Sequence, residues 1–162
     1  MDFKISCLLF IRNEEDDILM LRRKKSPNKG RWSPPGGKLD MDKGESPYQC
    51  ARREALEETG LELGNDDLSL FGYVSERGYE SSTNWLMFLF DCKKPITRIP
   101  DNFDEGTFRF FSRSAISSLD IPPSDHELIW PFYDKRNLGF WCIQADCDSQ
   151  NPPKLRIEAF PG

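Results

Sequence analysis

Three carboxylates in one short stretch have the most chemistry to offer: Glu54, Glu57 and Glu58, within Tyr48-Gln49-Cys50-Ala51-Arg52-Arg53-Glu54-Ala55-Leu56-Glu57-Glu58-Thr59. Wound as a helix at about 100° per residue, they share one sector of about 100° of arc. The arrangement does the helix no good. Glu54 and Glu58 are like charges at i,i+4, and Glu57 and Glu58 fall in the last turn, where the macrodipole disfavours anions; each effect costs a few tenths of a kcal/mol. Clustered carboxylate oxygens are, however, what a hard divalent cation such as Mg²⁺ takes from a protein. Arg53, four residues ahead of Glu57, can hold one of them in place. The same stretch is also compatible with an exposed helix that merely contains Glu, a good helix former. Upstream, Arg31-Trp32-Ser33-Pro34-Pro35-Gly36-Gly37-Lys38 reads as a tight turn whose glycines permit close backbone approach and can present carbonyl oxygens to the carboxylates.

These residues need elements to position them. The helix carries its own start and stop: Ser46 as N-cap, Pro47 as first helical residue, Gln49 three after the cap to complete a capping box, and Gly60 to end it. Tyr48, Ala51 and Ala55 lie within about 60° of one another, a narrow stripe able to sit close on a sheet. Apolar patterns over residues 3–10 and 18–21, with the acidic stretch 13–17 between them, predict a hairpin. A Pro- and Gly-rich loop over 26–44 follows. Further strands are predicted at 68–75, 85–92 and 108–111, and short helices at 114–119 and from Ser124 onward. Residues 140–144 and 155–160, around a turn containing Asn151-Pro152-Pro153, predict a C-terminal hairpin. No internal repeat or long linker divides the 162 residues, so one mixed α/β domain over 1–162 is expected.

Taken together, Gly36-Gly37-Lys38, Glu45 and Arg53-Glu54-Ala55-Leu56-Glu57-Glu58-Thr59-Gly60-Leu61 resemble the signature of the Nudix hydrolase family, with its MutT-like members. That signature runs Gly, five residues, Glu, seven residues, Arg-Glu, apolar, any, Glu-Glu, any, Gly, apolar. Everything from Glu45 to Leu61 matches at the right spacing. Between Gly37 and Glu45 lie seven residues rather than five, so the box region, 36–61, carries a two-residue insertion within 38–44. The resemblance implies an α/β/α sandwich with a mixed sheet. It implies hydrolysis of a nucleoside diphosphate linked to another moiety, water attacking phosphorus, with Mg²⁺ or Mn²⁺ as cofactor. By carry-over, Glu54, Glu57, Glu58 and the carbonyl of Gly36 would bind the metals, and Arg53 would orient the glutamates. Such metals neutralise the pyrophosphate and lower the pKa of a bound water, for which Glu54 or Glu57 is the candidate base. Some members use an acid from a later loop instead. Asp104 and Glu105 are the local candidates, in a stretch that otherwise reads as a solvated acidic turn.

For the substrate, Arg22, Arg23, Lys24 and Lys25 follow a strand directly and Lys38 lies in the glycine loop. Arg23 and Lys38 are the candidate phosphate binders, a solvated strand end being the plainer reading. Among the aromatics, Phe71, Tyr73, Trp85 and Trp130 could each stack on a base, although most aromatics must be core. The stretch Ile121-Pro122-Pro123-Ser124-Asp125-His126-Glu127-Leu128-Ile129-Trp130-Pro131 resembles the segment where nucleotide-pool-cleaning members place an acidic base reader followed by Trp and Pro. That would make Asp125 a partner for a purine edge and Trp130 its packing neighbour. Read from the residues alone, the stretch is a helix capped by Ser124, with Glu127 completing the box. His126 is the only histidine, which removes His-rich metal sites. ADP-ribose-cleaving relatives often carry Pro where this chain has Arg77, and dinucleoside polyphosphate hydrolases often carry Tyr near the position of Tyr79. The expected substrate is therefore a (d)NTP such as 8-oxo-dGTP, cleaved to the monophosphate and pyrophosphate. Dinucleoside polyphosphates, ADP-ribose and nucleotide sugars remain alternatives, as do a non-catalytic nucleotide-binding module and a protein-interaction domain.

Composition narrows the classes further. A net charge of 22 minus 27, or −5, counts against a nucleic-acid polymer as partner. The longest apolar run, 85–90, is far short of the roughly 20 residues that span a bilayer. Five scattered cysteines without CxxC spacing predict free thiols. The apolar stretch near the start leads into Arg12-Asn13-Glu14-Glu15 and lacks the form of a secretory signal, so a cytoplasmic location and a monomer or homodimer are expected.

Overall fold

The computed structural model describes residues 2–26, 28–79, 83–147 and 154–161. Strand β1 (Phe3–Phe10) runs parallel to β6 (Thr83–Cys92) along its whole length, from Phe3 opposite Asn84 to Phe10 opposite Asp91, and on its other side pairs with the short antiparallel β4 (Gly36–Lys38). β6 pairs with antiparallel β5 (Leu68–Tyr79), β5 with parallel β8 (Trp141–Asp146), and β8 with antiparallel β9 (Lys154–Ala159). The result is a six-stranded mixed sheet ordered β4-β1-β6-β5-β8-β9. A second sheet, ordered β3-β2-β7, is built from β2 (Ile18–Arg23), β3 (Trp32–Ser33) and β7 (Gly106–Phe111).

Alternation along β1 places Leu9 in one core and Phe10 in another. The first core lies under α1 (Pro47–Thr59) and gathers Cys50, Ala51 and Ala55 of that helix with Leu9, Leu19, Leu21 and Phe90. The second gathers Phe10, Ile18, Met20, Phe71, Val74 and Ile143 beneath α3 (Asp125–Leu128) and α4 (Trp130–Asp134). Helices thus cover both sides, the sandwich that the resemblance implied.

The predicted hairpin between the first two strands is corrected. The chain does reverse: the Asn13 side chain accepts from the backbone N–H of Glu15 and Asp17, Asp16 adopts φ 67°, and Leu19 N–H donates to Ile11 at 2.8 Å. Pairing then ends at an isolated bridge between Arg12 and Ile18, and the two strands enter different sheets. The reason is burial on both faces of β2, since Ile18 and Met20 fill one core while Leu19 and Leu21 fill the other. A strand of that kind has to lie between two layers.

α1 forms as its local signals require. Ser46 Oγ accepts from Gln49 N–H at 3.2 Å, Gln49 Oε1 accepts from Ser46 N–H at 2.9 Å, and Gly60 ends the helix at φ 71°. Tyr48 packs edge-on against Phe90, centroids 5.0 Å apart. The shorter helices differ from expectation. α2 spans only Arg113–Ile116, capped by Ser112, and Ser124 makes no side-chain cap bond, so the capping box with Glu127 is not formed. The backbone breaks at Ile129, and α4 starts afresh with Pro131 in its first turn. The C-terminal hairpin is present as the β8–β9 pair, while its turn at Asn151-Pro152-Pro153 lies outside the described residues. The five cysteines are free. Among the described residues no helix is long and apolar enough to cross a membrane.

Candidate active site

Arg53 organises the carboxylates. Its Nε and Nη2 donate to the two oxygens of Glu45 at 2.7 and 2.9 Å, its Nη1 donates to Glu54 at 2.8 Å and Glu57 at 3.2 Å, and Nη2 also reaches the Lys38 carbonyl at 3.0 Å. Hydrogen bonds from Arg53 hold the Glu45 carboxyl below its ordinary range. The two-residue insertion is absorbed without disturbing this. Residues 40–45 close a turn through Gly44 N–H to the Met41 carbonyl and Glu45 N–H to the Asp40 carbonyl, both 3.1 Å, and Glu45 Oε2 accepts from Asp40 N–H. The turn delivers Glu45 to Arg53.

The three helical glutamates are not equivalent. Glu54 lies over Gly37 so closely that a Cβ there would overlap its carboxyl group. Burial raises the Glu54 carboxyl, against the pull of Arg53. Glu58 is buried and accepts from Gly36 N–H at 3.2 Å; burial first, then the charges of Glu54 and Glu105, pushes its carboxyl up to about 9. Glu57 points outward, its side chain 60% exposed and tied to Arg53. Glu105 reaches the group from the loop before β7, which is fastened to the end of β2 by Lys24 N–H donating to the Glu105 carbonyl at 2.8 Å. Asp104, its neighbour, does not line the cavity described below.

Like charges that raise one another's pKa are what a divalent cation would relieve, and the oxygen-only donor set of Glu54, Glu58 and Glu105 suits a hard ion. Among the described residues no three such side chains already converge as a ligand cage. Arg53 takes up oxygens of Glu54 and Glu57 that a metal would share. The donor chemistry fits the cofactor that the motif implies, and the residues that would hold it are Glu54, Glu58 and Glu105, beside the Gly36-Gly37 backbone.

This cluster opens into a cavity of about 410 Å³. Glu54, Gly36, Gly37, Lys38, Glu105 and Arg23 line it, and so do Glu76, Tyr79, Trp85, Met87 and Asp125. The structure therefore brings Arg23, Lys38 and Asp125 to one cavity with Glu54 of the helix. The Tyr79 hydroxyl donates to Asn28 Oδ1, joining the end of β5 to the loop after β2. Of the four aromatics singled out in the sequence, only Trp85 is at the cavity. Phe71 is core, and Tyr73 packs against Phe140. Trp130 is a correction. It opens α4 inside the second core, 2% exposed, with Phe10 and Tyr133 each 5.4 Å away and the Arg113 guanidinium 5.1 Å from its ring. Its neighbours are those of a core residue, and it does not reach the cavity.

Sequence reasoning missed Glu76. It stands mid-strand in β5, 3% exposed, with burial pushing its carboxyl up to about 7. The signal was its parity: counting by twos from the buried Val74 places Glu76 on the inner face, where an apolar residue belongs.

The chain is similar to known proteins in sequence and in fold. A family model described as the NUDIX domain matches residues 2–132. An uncharacterized Nudix hydrolase of Bacillus subtilis, YvcI, is 29% identical over 116 residues, 71% of this chain and 70% of that protein. Among solved structures, a MutT protein from Bacillus halodurans superimposes with a TM-score of 0.75 at 21% identity, covering 98% of this chain and 99% of that one. The NUDIX domain of Shewanella oneidensis NrtR, complexed with ADP ribose, superimposes with a TM-score of 0.63 at 15% identity, covering 83% and 87%.

Proposed function

This chain belongs to the NUDIX domain family, hydrolases of pyrophosphate bonds, and we propose that its substrate is a purine nucleoside triphosphate, cleaved to the monophosphate and pyrophosphate, with oxidised forms such as 8-oxo-dGTP in its range. The observation that carries this reading is a single cavity lined by Glu54 and Glu105, by the three cations Arg23, Lys25 and Lys38, and by the aromatic Trp85. Arg23 and Lys38 lie where they can pair with phosphate oxygens, as the net-negative chain must do locally to accept a polyanion. Trp85 offers a ring for stacking, and Asp125 an acceptor for a base edge.

Glu54, Glu58 and Glu105 would hold Mg²⁺ or Mn²⁺, which would neutralise charge on the pyrophosphate and acidify a water. The chain's own residues do the rest. Arg53, anchored by Glu45, fixes the rotamer of Glu54. Glu54 lines the cavity and is the base that takes the proton of the attacking water, with Glu105 facing it as the loop acid. Glu57, outside the cavity, accepts from the same Arg53 Nη1 that holds Glu54.

The structural likeness to an ADP-ribose-binding domain favours one rival substrate, and Tyr79 at the cavity keeps dinucleoside polyphosphates as another. The test is turnover with Mg²⁺ over dGTP, 8-oxo-dGTP, dATP, ADP-ribose and a dinucleoside tetraphosphate. A purine triphosphate should lead the ranking by kcat/KM. ADP-ribose or the dinucleotide ranking first would overturn the substrate.

A further inference from the structure

We propose that Tyr79 is a positioning residue for the polyphosphate: its hydroxyl latches Asn28 and so holds the loop between β2 and β3, with Arg23 and Lys25, at the cavity where it meets phosphate oxygens. The inference rests on the nucleotide reading above and adds to it the part of the substrate that Tyr79 serves. Strand β5 aims the residue. Glu76 is opposite Trp85 and Tyr79 is opposite Thr83, so β5 advances three residues where β6 covers two. The extra residue makes a β-bulge. Gly78 takes up the bend at φ 69°, and its N–H donates to Asn84 Oδ1 at 3.0 Å. Strict alternation without the bulge would put Tyr79, three residues after Glu76, on the opposite face of the sheet. With the bulge, Tyr79 shares the face of Glu76, Trp85 and Met87, and all four line the cavity.

The loop that Tyr79 meets carries charge but little packing. Lys24, Lys25 and Ser26 are exposed, while Arg23, Lys25, Ser26 and Asn28 border the cavity. Order in such a stretch comes from its hydrogen bonds. Gly30 N–H donates to the Arg23 carbonyl at 2.7 Å and Arg31 N–H to the Asn28 carbonyl at 3.0 Å, with Asn28 in the left-handed region at φ 60°. Ties on both sides fasten the loop to the rest of the fold. On the carboxylate side Lys24 N–H donates to the Glu105 carbonyl at 2.8 Å, and on the β5 side the Tyr79 hydroxyl donates to Asn28 Oδ1. A hydroxyl has one proton to give, and here Asn28 takes it rather than a ligand. Cations held in place before a polyanion arrives lose less freedom on binding it, which strengthens binding without any new contact. Arg23 and Lys25 gain this from the latch.

Two single variants and their combination test this. Tyr79→Phe removes only the hydroxyl, and Asn28→Gly removes the acceptor while keeping a residue suited to φ 60°. Each should raise KM for dGTP about three- to tenfold, the worth of one hydrogen bond, with kcat within about twofold of wild type. Titration calorimetry in Mg²⁺ should show inorganic tripolyphosphate weakened by the same factor, and deoxyguanosine, which has no phosphate, bound as by wild type. The double variant should be no worse than the weaker single one, since both break the same bond. Multiplied effects in the double variant, deoxyguanosine weakened as much as tripolyphosphate, or unchanged tripolyphosphate binding in a folded Tyr79→Phe would overturn the proposal. Those results with triphosphate hydrolysis intact leave the proposed function standing. Latch-dependent tripolyphosphate binding without any triphosphate turnover supports the latch and overturns the function instead.

Discussion

Replacing Glu76 by Gln should change how stability depends on pH, by an amount that follows from the burial of one carboxyl. In the unfolded chain a glutamate titrates near its ordinary value of 4.5; in the native protein burial pushes Glu76 up to about 7. Between those values the native state holds a proton that the unfolded state has released. Native protein thus binds more protons than unfolded protein, and stability falls as pH rises through the window, fully retained below 4.5 and lost above 7. Two and a half units at about 1.36 kcal/mol each amount to about 3 kcal/mol. Gln carries no charge at any pH and removes this slope. It also removes the Glu76 charge that helps raise Asp125, so part of the Asp125 contribution goes in the same direction. Urea unfolding of both proteins at pH 5, 6, 7 and 8 measures the effect. The stability difference, Gln variant minus wild type, should rise by about 2.5 kcal/mol from pH 5 to pH 8, the part of the window that the series spans. Parallel stability profiles would refute the reasoning, because they would mean that Glu76 is hydrated or already paired in the folded state.

Two further substitutions probe separate links. Gly37→Ala places a methyl group where the Glu54 carboxyl lies and should lower kcat by about ten- to hundredfold with little change in melting temperature; full activity would show that Glu54 works from another position. Trp130→Phe should leave KM within about twofold of wild type, because the indole is core. Its stability cost should stay at about 1–2 kcal/mol in a thermal melt, since the indole N–H that is lost has no hydrogen-bond partner.

Legibility from sequence followed the range of the interactions. α1 and its caps are written within 15 residues, from Ser46 to Gly60, and every cap bond formed as read. The Arg53 contacts with Glu54 and Glu57 are equally local. The contact to Glu45 survived a two-residue insertion because Asp40 and Gly44 close a turn on it, a compensation that spacing alone does not reveal. Partners of β2 were not legible, since a strand buried on both faces carries no alternation to say which neighbour it takes. Trp130 illustrates the same limit. A Trp-Pro pair can flank a base or start a core helix, and the break at Ile129 turned it toward Phe10 and Tyr133. Glu76 was visible only as one charge at an inward parity position, and its meaning depended on Trp85, nine residues on, and Asp125, much farther along the chain, meeting it at one cavity.

The proposed activity is metal-dependent cleavage of a purine triphosphate with Glu54 as the working carboxylate. Phosphorus-31 NMR of dGTP turnover tests it most directly, with and without Mg²⁺, in wild type and Glu54→Gln. Monophosphate and pyrophosphate signals should appear only when Mg²⁺ is present, with the Gln variant slower by at least about a hundredfold. Release of inorganic phosphate as the first product, or wild-type rates in folded Glu54→Gln, would contradict it.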